Sequence, residues 1–149
     1  MLNIFKTITT KLGGIDTSES NHIDTYTEEK INTTEGTKIA SSKNNGGIWI
    51  SFQELAGYEY MNITVIGANN MKNFNGCILN FMNNETISLQ LNSDTREIES
   101  NFSNVSNRWI TDISFDITNS NIDVIKNNTA SYIKLEYKKK FEIFDILKP

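Results

Sequence analysis

The sequence predicts a mainly β fold, β-rich α+β, built as an antiparallel β-sandwich or open barrel, and three observations carry that expectation. From Gly46 onward apolar residues recur with period two between Asn- and Gly-containing breaks, as in strands packed on one core. Strand-like runs follow one another with little helix between them, which favours antiparallel pairing. The only proline is the last residue, and no repeat of solenoid period is visible.

Along the chain, residues 1–45 read as an N-terminal amphipathic segment followed by a polar linker or loop, and residues 46–149 as the β-rich domain. Leu2, Phe5, Ile8 and Leu12 fall at helical spacing ahead of Gly13 and Gly14, which suit a helix C-cap; a strand through Ile4, Lys6 and Ile8 competes. Residues 15–45 carry few apolar positions and are expected to form loop, with one edge strand near Thr37–Ser41. Residues 47–54 predict a central strand with Ile48, Ile50 and Phe52 on one face and Trp49 on the other. Residues 58–66 predict the next, with Met61, Ile63 and Val65 opposite Tyr58, Tyr60 and Ile66.

Residues 76–82 and 86–92 predict a hairpin with a turn at Asn83 and Asn84, placing Cys77, Leu79 and Phe81 inward beside Ile87, Leu89 and Leu91. A weaker strand is expected over Arg96–Phe102. The strongest alternation is Trp109, Thr111, Ile113, Phe115, Ile117, with Asp112, Ser114 and Asp116 on the wet face. Thr118 is placed to cap a short helix near residues 119–127, stopped by Asn127 and Asn128. Ile133, Leu135 and Tyr137, then Phe141 and Ile143 after Lys138–Lys140, predict one bent strand or a closing hairpin.

Composition narrows the function classes. At 149 residues a single domain hides about 68–70% of the surface its unfolded chain exposes, enough for one core without staples. The net charge of −4 opposes binding to nucleic acid or an anionic membrane, and no apolar run is long enough to span a bilayer. The opening residues lack the apolar block of a cleaved export signal, so a cytoplasmic location is expected. Cys77 is the only cysteine and His22 the only histidine, which removes disulfides, thiolate clusters and His-pair metal sites. No phosphate loop, nucleophile elbow or dinucleotide fingerprint occurs: Asn45-Gly46-Gly47 precedes a strand, not a helix. No cofactor, metal or catalytic residue is therefore expected. The heavy use of Asn, Lys and Ile is the usage expected of an AT-rich bacterial or phage genome.

Three groups of residues stand out as candidate sites. Asp94, Glu97 and Glu99 form the densest acidic cluster, with Glu97 and Glu99 on one strand face; such carboxylates bind Ca²⁺ or do acid–base work, but they equally make a solvated face with Arg96 as counter-charge. Trp49, Tyr58 and Tyr60 offer flat surfaces for a sugar or peptide, or a layer covered by residues 1–14. Lys138–Lys140 offer a patch for phosphate or an acidic partner, or protect an exposed sheet edge. Asp112 and Asp116 share a face but lie about 13 Å apart, too far for paired hydrolase carboxylates.

The favoured expectation is a non-catalytic protein-interaction or accessory domain, with a protein partner or self-association. The alternatives are a carboxylate-dependent carbohydrate-binding module or hydrolase using Asp94, Glu97 and Glu99, and a phage or virion structural subunit.

Overall fold

A computed structural model describes residues 25–43 and 45–148, so the reading of residues 1–14 and of His22 lies outside the described residues. The chain is mainly β, with 54% strand and 9% helix, as the alternation requires. Helix α1 spans Tyr26–Asn32 and is followed by strands β1 (Thr37–Ser42), β2 (Gly46–Leu55), β3 (Tyr58–Gly67), β4 (Ile78–Asn83) and β5 (Thr86–Asn92). Strands β6 (Ser100–Ser103) and β7 (Arg108–Asp116), helix α2 (Asp123–Lys126), and strands β8 (Tyr132–Tyr137) and β9 (Lys140–Ile146) complete it.

The nine strands form one antiparallel sheet in the order β5-β4-β8-β9-β1-β2-β3-β7-β6, not closed into a barrel. One half is β5-β4-β8-β9 and the other β1-β2-β3-β7-β6. They are joined by a short ladder in which Ala40 faces Ile146 and Ser41 faces Asp145. Both halves supply one core: Leu79, Phe81, Ile133, Leu135 and Phe144 meet Ile48, Ile50, Met61, Ile63, Ile113 and Phe115. The sheet therefore folds over on itself, and its apolar faces leave water together.

The segment after β5 approaches the opposite half and holds the open side. Asp94 N–H donates to the Ser114 carbonyl (2.7 Å), and Ser114 N–H donates to Thr95 Oγ1 (3.0 Å). Ile98, fully buried, then bridges Asn73. The strand expected over Arg96–Phe102 is thus a single bridge followed by the four residues of β6.

Several expectations are corrected, each for a local reason. The stretch 15–45, expected as loop with one edge strand near Thr37–Ser41, contains α1 in its described part, and the expected strand is β1, an interior strand paired with β2 and β9. Only Ala40 of β1 is fully buried, so the strand has no alternation to read. The interior helix is the single turn of α2; the Thr118 hydroxyl bonds Asp116 (2.6 Å) instead of capping it. Ile87 is half exposed because a bulge shifts β5 past Phe81 and Met82. Phe52 lies exposed where the β2–β3 hairpin projects past the core.

The terminal segment is a hairpin. Tyr137 pairs with Lys140, so Lys138 and Lys139 alone make the turn. That loop length places Phe144 opposite Ile133 in the core and leaves Phe141 and Ile143 exposed, the reverse of the expected facing.

Helix α1 has seven residues, too few to persist alone. Glu28 and Glu29 in its first turn and Lys30 in its last suit the helix dipole, and Ile31 packs against Ile66 and Ile110, beside Trp49. Glu28 fixes it to the β6–β7 hairpin: it accepts from Ser103 Oγ and Ser106 Oγ, both at 2.6 Å, and pairs with Arg108 at 3.5 Å. The two serine hydroxyls, then Arg108, hold the Glu28 carboxyl below its ordinary 4.5, against the opposing effect of burial. A carboxylate with a depressed folded value stabilises above the ordinary range and loses that contribution as pH falls through the folded value. Acidification through that lowered value should therefore release α1 and shift tryptophan fluorescence as Trp49 is uncovered. Glu28→Gln should abolish that transition.

Candidate functional site

A concavity of about 830 Å³, open to solvent, is built from three chain segments at one end of the β4, β5, β8 and β9 strands. Asn75–Ile78 enter β4, Asn92, Ser93 and Arg96 leave β5, and Glu136–Phe141 form the β8–β9 turn. Antiparallel pairing explains why they meet: Ile78 lies opposite both Asn92 and Glu136, so the start of β4 and the ends of β5 and β8 share one rim.

The wall around Arg96 is held by backbone geometry. Gly76 N–H donates to the Arg96 carbonyl (2.9 Å), and Ser93 Oγ accepts from Cys77 N–H (3.0 Å) while donating to the Thr95 carbonyl (2.6 Å). Gly76 sits at φ +79, and a Cβ there would lie 2.5 Å from Ser93 Oγ. Glycine is required by both conformation and space.

The opposite wall is the lysine turn. Lys138 (φ 54) and Lys139 (φ 63) both occupy the left-handed region. A two-residue hairpin with positive φ at both positions is the type I′ turn, for which Asn-Gly is preferred. At the β2–β3 hairpin the corresponding pair is Ala56 (φ 54) and Gly57 (φ 87). Each side chain held in that region costs about 1–2 kcal/mol. Lys138→Asn together with Lys139→Gly should accordingly raise unfolding free energy by about 1–2 kcal/mol in a denaturant titration.

Charge converges here. Arg96, Lys138, Lys139 and Lys140 line the concavity, against Glu136 alone. Glu136 already accepts from Asn80 Nδ2 at 2.7 Å. Among the described residues the ion pairs are Lys30–Asp112 and Arg108–Glu28, and none of the four cations takes part. Lys140 Nζ instead lies 5.3 Å from the centre of the Tyr137 ring. Among the described residues β8 pairs with β4 and β9, whereas β9 pairs with β1 only at Asp145 and Ile146, so its stretch beside the lysine turn has β8 as its single neighbour. Protection of that open stretch of β9 therefore stands as one role these lysines can fill.

Two ionisable groups at the floor are unsuited to chemistry at neutral pH. Burial pushes the Cys77 thiol up to about 12, with a smaller opposing effect from Ser93, so it stays protonated and unreactive. Burial and the hydrogen bond to Glu142 raise the Tyr137 phenol well above its ordinary value. The concavity offers fixed positive charge and hydrogen-bonding side chains.

The comparisons with known proteins add no relative. No protein-family model, curated protein or solved structure matches the chain.

The other candidate residues are dispersed. Asp94 lies along the edge of β7 beyond β6, bonded to the Ser114 carbonyl, while Glu97 and Glu99 flank the buried Ile98, all three exposed. Among the described residues no group of three His, Cys, Asp or Glu is placed to hold a metal ion. Trp49, Tyr58 and Tyr60 do share one sheet face, but Trp49 pairs with Thr64, four residues along β3 from Tyr60, or about 13 Å. Trp49 belongs with α1 and Tyr60 with Asp116 and Asp94, whose charges raise its phenol after burial does. Asp112 accepts from Thr64 Oγ1 (2.8 Å) and pairs with Lys30 (3.4 Å), while Asp116 accepts from Thr118, so the two serve separate structural contacts.

Arg96 is the residue that sequence reading left out of the basic group. In the chain it stands between Thr95 and Glu97, two residues after Asp94, and only the crossing of the β5–β6 segment brings it to the lysines. The signal for the turn was present in the three consecutive lysines between two alternating runs.

Proposed function

We propose that this is a non-catalytic interaction domain that binds an acidic segment of a protein partner in the basic concavity. The observation that carries the reading is the lysine turn: Lys138 and Lys139 occupy conformations suited to Asn-Gly, beside Arg96 and Lys140 and without carboxylate partners. Local strain retained at an exposed charged position is accounted for by use of the charge. Concentration of four cations at one rim of an acidic chain also favours a small, local acidic epitope over a polyanion, which the rest of the surface would repel.

Calorimetric titration with an oligoglutamate peptide tests this. Binding should weaken as salt rises, because the cations are exposed and screened. Arg96→Ser with Lys140→Ser should lower affinity by about tenfold or more, since exposed charge pairs each contribute up to about 1 kcal/mol. Absence of binding at low salt, or affinity indifferent to both substitutions, would remove the proposal.

A further inference from the structure

The two edges of the sheet are unlike. β6 is only four residues long and is held under α1, with Ser103 Oγ donating to Glu28. β5 is seven residues, Thr86-Ile87-Ser88-Leu89-Gln90-Leu91-Asn92, and among the described residues pairs with β4 alone. It carries no charge and no proline, two of the features that blunt an exposed edge, and its one irregularity is the bulge at Ser88. Ile87 is 49% exposed. One full row of β5 backbone N–H and C=O groups therefore points away from the sheet.

We infer that β5 pairs antiparallel with β5 of a second copy of this chain, making a twofold dimer with a continuous sheet. The charges at the two ends of the strand select that partner and that direction. Glu85 precedes β5 at its turn with β4, whereas Asn92 runs into the rim that carries Arg96 and the lysine turn. In antiparallel pairing, the Glu85 end of each copy meets the basic end of the other. Parallel pairing would set Glu85 against Glu85 and one basic rim against the other. With the axis at Ser88, Ser88 faces its own copy and Leu89 faces Ile87 of the second copy, so no like charges meet in the middle of the strand. Because the opposite edge is short and occupied by α1, the association closes at two copies instead of propagating.

Sedimentation equilibrium of the full chain over a concentration series should give a reversible species of twice 16.9 kDa. Ser88→Lys, an exposed position, places like charges across the axis and should weaken the dimer by about tenfold while leaving circular dichroism unchanged. Glu85→Lys, in the turn, should weaken it as well, more strongly at low salt. A monomer at every concentration, a dimer indifferent to both substitutions, or an open series of larger species would overturn the inference. A monomer that dimerises only after removal of residues 1–24 would also overturn it, by assigning the edge to the chain's own N-terminal segment.

Discussion

Phe144→Ala should lower unfolding free energy by about 3–5 kcal/mol, the largest effect expected of a single truncation here. Phe144 is fully buried on β9 opposite Ile133, which is also fully buried, and belongs to the core that both halves of the sheet share. Its removal leaves a cavity beside the short β9–β1 ladder, the link that has least regular pairing to hold it. Phe141, three residues earlier on the same strand, is 56% exposed and contacts Lys134 across its ring. Phe141→Ala should therefore change stability by less than about 1 kcal/mol. Denaturant titrations of both variants decide whether the two-residue turn sets the facing of β9. Equal losses at the two positions would refute it.

Gly47→Ala should cost about 1–3 kcal/mol although it adds a single methyl group. A Cβ at Gly47 would lie 2.5 Å from the Ala40 carbonyl oxygen and 2.7 Å from Lys38 Cε. The lysine end can swing away, but the carbonyl belongs to β1, so the β1–β2 ladder must open to make room. β1 also carries the connection to the other half, including the bond from Leu147 N–H to the Ile39 carbonyl at 2.8 Å. The strain should appear as faster hydrogen exchange in β1 and at Leu147, not only as a lower midpoint. Gly67→Ala is the matched control: its Cβ would meet only Glu142 Oε1 at 4.0 Å, and the change should stay within about 0.5 kcal/mol.

Much of the architecture was legible because the strands that alternate are those with one face on the core. Ile48 and Ile50, Met61 to Val65, and Ile113 to Ile117 read correctly for that reason. β1 was legible as a strand but not as an interior one, because its inward residue is Ala40 and its neighbours are polar, and α1 was illegible because seven residues give a single useful contact at Ile31. Facing errors at Ile87, Phe141 and Ile143 share one origin. A bulge or a two-residue turn moves the inward parity by one, and no residue in Glu85–Ser88 or Lys138–Lys139 announces the shift. The site was half legible. The lysines stood out as a run, but Arg96 reaches them only through the path of the β5–β6 crossing, a property of topology that no local pattern encodes.

Conformational strain and unpaired positive charge coincide at the lysine turn. The most direct test carries Lys138→Asn and Lys139→Gly in one variant and measures two quantities on it, unfolding free energy and affinity for the oligoglutamate peptide. Opposite changes are predicted: stability rises by about 1–2 kcal/mol while affinity falls by about tenfold. A variant that binds as tightly as the parent, or one that loses stability, would contradict the claim that this turn keeps its lysines for recognition.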